Sequence, residues 1–69
     1  MPTIFEIFGL RFFFFADDHK PIHVHVTKGG DDIKIAIEPK IELVYNHGMK
    51  VKDVKRALKL AEMYKNHDE

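Results

Sequence analysis

Ile33, Ile35 and Ile37 alternate with Lys34, Ala36 and Glu38, directly after the run Gly29-Gly30-Asp31. Alternation with period two marks a strand, because successive side chains leave opposite faces of the pleat. A glycine pair tolerates the positive φ of a tight hairpin turn. Ile22 to Lys28 is therefore expected to run antiparallel to a return strand over Asp32 to Glu38. Pro39 ends that strand, since proline has no N–H to give the ladder.

The upstream segment repeats the theme. Thr3 to Phe8 alternates, with Ile4, Glu6 and Phe8 on one side and Phe5 and Ile7 on the other. Gly9 offers a turn, and Leu10 to Ala16 is the second strand of a first hairpin. Its run Phe12 to Phe15 is apolar on both faces, which predicts a central strand covered on both sides. Those phenylalanines read as core and not as a base-stacking platform, since neither RNP-like motif is present. Asp17 to Pro21 reads as a polar loop. Ile41 to Tyr45 is a fifth short strand or an irregular segment, and Asn46-His47-Gly48 is a turn.

The period then changes. Over Met49 to Asn66, Val51, Val54, Ala57, Leu58, Ala61 and Tyr64 recur at steps of three and four, one apolar stripe on a helix. Met49 is placed to staple onto Val54, and Asp53 sits in the first turn, where the helix dipole favours an anion. Lys50 is a poor capping residue. Lys52, Lys55, Arg56, Lys59 and Lys65 form a basic face on the other side. The stripe has to bury itself against a sheet. The expected fold class is α+β: a small antiparallel sheet of four to five strands, as two hairpins, with one C-terminal amphipathic helix packed on it.

Sixty-nine residues leave room for one domain, 1–69, and a core of modest size. There is no cysteine, so disulfides cannot add stability, and a cytoplasmic location is the expectation. A net charge of zero argues against a strongly basic nucleic-acid binder. The longest apolar run is far too short to span a bilayer, and the N-terminus lacks the pattern of an export signal.

The chemistry gathers in one place. Asp17, Asp18, His19, His23 and His25 fall within nine positions. His23 and His25 are two apart on a strand and leave the same face, while Val24 and Val26 point into the core. His19 lies on the incoming loop, which Pro21 stiffens. Imidazole binds zinc, copper, iron and nickel, so Asp18, His19, His23 and His25 are the candidate metal ligands. The same histidines suit metal-free acid–base work. Two of them can split the proton transfers of RNA cleavage through its 2′-hydroxyl while a lysine steadies the phosphate. His19, His23 and His25 are then the candidate catalytic residues. Lys52, Lys55, Arg56 and Lys59 are the candidate contacts to nucleic acid. The bland alternatives are solvated strand histidines, ordinary turn aspartates and a solvated basic face. Gly29-Gly30 reads as a turn and not a phosphate loop, and His47 and His67 read as turn and tail residues.

The opening Met1-Pro2-Thr3-Ile4 and the strand Arg11-Phe12-Phe13-Phe14-Phe15 carry a resemblance. So do Asp18-His19, Pro21, His23-Val24-His25-Val26, the Gly29-Gly30 turn and the helix Val51-Lys52-Asp53-Val54-Lys55-Arg56-Ala57-Leu58. Over nearly its whole length the chain resembles domain of unknown function 4160, a family of small bacterial proteins. Its members often neighbour a second small domain, family 2442, in a toxin–antitoxin-like pair. The resemblance implies a toxin-like ribonuclease neutralised by a small, antitoxin-like protein partner. Related chains often continue the helix further, whereas this one stops at His67-Asp68-Glu69. Three readings stand at this point: a ribonuclease using the histidine cluster, a non-catalytic module binding a small partner protein, and a histidine-rich metal-binding domain.

Overall fold

A computed structural model describes residues 3–17 and 20–67, and the side chains of 5–14 and 23–65. Its elements are β1 (Thr3–Ile7), β2 (Leu10–Asp17), β3 (Lys20–Lys28), β4 (Asp31–Ala36), β5 (Glu42–His47) and α1 (Val51–His67). The strands form one antiparallel sheet in the order β1-β2-β3-β4-β5, so each pairs only with its neighbours in the chain. The α+β class and the C-terminal helix are as expected, and the fifth strand is real.

Two-residue turns set the register. Lys28 pairs with Asp31 across Gly29-Gly30, which forces Val26 opposite Ile33 and His25 opposite Lys34. Gly29 has φ 61, the positive value that the first central position of a tight hairpin turn needs. Ile7 pairs with Leu10 across Phe8-Gly9, where both residues have positive φ, 56 and 76. That is the pattern of a type I′ turn. Phe8 pays for this with about 1–2 kcal/mol of backbone strain, the usual cost of the left-handed region for a residue with a Cβ.

Several boundaries differ from the sequence expectation. The polar loop between β2 and β3 is shorter, because pairing continues to Asp17 opposite Lys20. A register shift between Phe15 and Ala16 accommodates this extension. Pro21 belongs to β3 but lies beyond the β3–β4 pairing, which starts at His23, so its missing N–H interrupts no ladder on that side. β5 runs on through Asn46 and His47, which makes His47 a strand residue and not a turn residue.

One face of the sheet meets α1. Phe12, Phe14, Val24, Val26, Ile33 and Ile35 are buried there with Val54, Ala57 and Ala61 of the helix. The two alanines allow close approach, and Leu58, Leu60 and Tyr64 pack around them. Phe5 stacks on Phe12 at 4.7 Å, and Tyr64 lies 4.3 Å from Phe14. Val51 does not belong to this stripe. It is 69% exposed, and in that first turn Asp53, not Val51, is the residue turned inward. Nor is β2 covered on both sides. Among the described elements α1 covers one face, and Phe13 stands half-buried on the other.

Polar contacts fasten both ends of the helix. Asn46 accepts from the Met49 N–H at 2.8 Å and donates to the Met49 carbonyl at 3.0 Å, which turns the chain from β5 into α1. The Lys50 carbonyl accepts from the N–H groups of Asp53 and Val54, the first bonds of the helix, which ask nothing of the lysine side chain. Met49 and Val54 are both buried, as a staple requires. Lys28 donates to both carboxylate oxygens of buried Asp53 at 3.2 Å. At the other end Lys65 donates to the carbonyls of Ile37 (3.1 Å) and Pro39 (2.9 Å), so it is a structural tie and not part of a solvated face. Gly48, with φ 89, lies where a Cβ would come within 2.7 Å of an Asp31 carboxylate oxygen.

Candidate functional site on the open sheet face

Alternation places a second set of residues on the face away from α1. Register aligns them in cross-strand rows. Phe13, His25, Lys34 and Tyr45 form one row, and Glu6, Arg11, Thr27, Asp32 and His47 the next. His23 lies one step further along β3, opposite Ala36. The face therefore carries imidazole, phenol, ammonium and carboxylate groups side by side.

The rings are in contact. Tyr45 stacks on His47 with centroids 4.3 Å apart, and His25 meets the Tyr45 ring edge-on at 6.4 Å. Nδ1 of His47 lies 3.3 Å from an Asp32 carboxylate oxygen. Burial and the carboxylate of Asp32, to which the hydroxyl hydrogen-bonds, raise the Tyr45 pKa above its ordinary value of 10.0. Burial lowers the His25 pKa from 6.5, with Lys34 and His23 acting in the same direction and Asp32 opposing them. His25 is thus a neutral base at neutral pH. The Glu6–Arg11 pair, at 4.0 Å with both side chains 60% exposed, is a surface contact of little energetic weight.

Of the expected catalytic residues, His23 and His25 share this face, and His19 lies outside the described residues. Asp18 lies outside them as well, and of Asp17 only the backbone is described. Among the described residues no group of three His, Cys, Asp or Glu side chains is placed to hold a metal ion. Sequence reasoning missed Asp32, Lys34, Tyr45 and His47. Their signal was the Gly29-Gly30 turn: counting outward from it sets Lys34 opposite His25. The pairing of Asp32 with His47 depends on β5, whose extent the sequence left open.

Lys52, Lys55, Arg56 and Lys59 are exposed on α1. The sheet stands between them and the histidines, so the two sets cannot grip the same phosphate. They border a groove of about 630 Å³ whose apolar lining is Ile7, Phe8, Leu60 and Met63. Arg56 lies 4.5 Å above the ring of Phe8. No described helix is long and apolar enough to cross a membrane.

Comparison with curated proteins and with solved structures finds no match. The model of one protein family does match, over residues 9–67, which include every strand from β2 onward and the helix. The chain belongs to that family, Domain of unknown function (DUF4160).

Proposed function

We propose that the open sheet face binds RNA and cleaves it through the 2′-hydroxyl, as a toxin-like ribonuclease. The observation that carries this reading is the row His25–Lys34–Tyr45, with His47 stacked on Tyr45 and held against Asp32. Neutral His25 takes the proton of the 2′-hydroxyl, and the oxygen attacks phosphorus. The bond to the 5′-oxygen breaks, and that oxygen leaves with a proton from His47. The products are a 2′,3′-cyclic phosphate and a free 5′-hydroxyl. The two imidazoles end in exchanged protonation states, and solvent resets them. Lys34 neutralises the charge gathering on the phosphate oxygens. Asp32 orients His47, the usual service of a carboxylate to an imidazole. His23 flanks the base on the same strand.

A fluorogenic RNA and its 2′-O-methyl twin test the reading. The RNA is expected to be cut and the twin spared. His25→Ala and Lys34→Ala should each slow cleavage by about 10²-fold or more. Expression should arrest growth, and His25→Ala should relieve the arrest. RNA left intact with and without divalent metal, together with normal growth, would rule the proposal out.

A further inference from the structure

The groove between the first hairpin and α1 has features that neither the core nor the RNA chemistry uses. Phe8 is 58% exposed at the tip of the β1–β2 turn, in a backbone conformation that asparagine or glycine adopts far more readily. Met63 is 55% exposed and Ile7 37%. An aromatic held at a cost in the left-handed region, beside exposed aliphatic residues, is a feature found at binding surfaces. The rim is cationic, with Lys52, Lys55, Arg56 and Lys59, and no described lining residue is acidic. From Lys52 to Met63 the groove follows about 17 Å of helix, or three turns.

We infer that this groove docks an acidic amphipathic helix of another protein. Two or three aliphatic or aromatic anchors at i, i+3 or i+4, and i+7 fill the space between Phe8 and Met63. Carboxylates flanking that stripe meet the four cations of the rim. The apolar floor favours a protein segment over a phosphate backbone, which would leave that floor without a partner. The inference is independent of the ribonuclease reading, since the groove lies on the other side of the sheet from the histidines.

The test is selection of helical peptides of about five turns from a displayed library, with the full chain as bait. Enriched sequences should be acidic with apolar residues at helical spacing, and should shift the NMR signals of Ile7, Phe8, Leu60 and Met63. Binding should weaken about tenfold or more in Phe8→Asn, which keeps or raises the melting temperature because asparagine accepts the turn conformation. The double variant Arg56→Glu, Lys59→Glu should weaken it similarly, and raised salt should weaken it too. Basic or neutral winners, shifts elsewhere, or unchanged binding in both variants would overturn the inference. So would a concentration-dependent dimer closed through the groove and broken by Met63→Glu. Phosphatidylglycerol vesicles shifting the same residues where no peptide binds would overturn it as well.

Discussion

The two faces of the sheet are built from the same strands and obey different rules. On the covered face Phe12, Val24, Val26, Ile33 and Ile35 are fully buried, and any apolar side chain of similar volume serves. On the open face the residues between them, Phe13, His25, Lys34 and Asp32, are half-exposed, and their value lies in which group stands opposite which. One face is specified by amount of apolar surface, the other by register. A one-residue slip would exchange the two sets wholesale, so burial of the first also holds the second in line.

The sharpest way to break this comparison is to cut neighbouring phenylalanines to alanine. Phe12→Ala should cost about 3–5 kcal/mol of stability, whereas Phe13→Ala should cost about 1 kcal/mol. Urea unfolding measures both, and equal losses would mean that the open face is a core in its own right. Next come the ion pairs. Lys28→Met strands a carboxylate that is 4% exposed, and should cost about 1–3 kcal/mol. Arg11→Met, which breaks the exposed pair with Glu6, should stay within about 0.5 kcal/mol of the parent. Thermal unfolding of the two variants would separate them.

Titration sharpens the comparison further. His25 binds its proton less readily in the folded chain than the ordinary 6.5. Below that pH the unfolded chain takes up the proton first, so stability falls as pH drops from 6.5 through the lowered folded value. His25→Gln should flatten that limb of the stability profile, and an unchanged profile would assign it to other groups. The smallest effect is expected at Tyr45, whose proton is held by burial and by Asp32. Asp32→Asn should bring its titration, followed by NMR, back toward 10.0, while leaving the melting temperature at neutral pH nearly unchanged.

The difference between the faces also explains what could be read from the chain alone. Covered-face residues announce themselves, because Ile33, Ile35 and Ile37, or Val54, Ala57 and Ala61, need only a period. The open-face set does not, because Tyr45 and His47 reach His25 and Lys34 only through the pairing of β4 with β5. That pairing contains a register shift between Lys34 and Ile35 which no period reveals. Val51 misled for a related reason. It fits the helical spacing but is exposed, while Asp53 of the same turn is the residue tied to the sheet through Lys28. Lys65 looked like one more surface cation until the position of the Ile37 and Pro39 carbonyls was known.

Strand order follows chain order throughout. No pairing in the sheet has to wait for a distant part of the polypeptide, so the entropy of closing loops stays small at every step. Assembly can start at Gly29-Gly30 and spread outward by zipping, with α1 arriving last to dry the apolar side. On such a route every strand meets its partner one turn away, and α1 is the single described element that has to close over a surface already assembled.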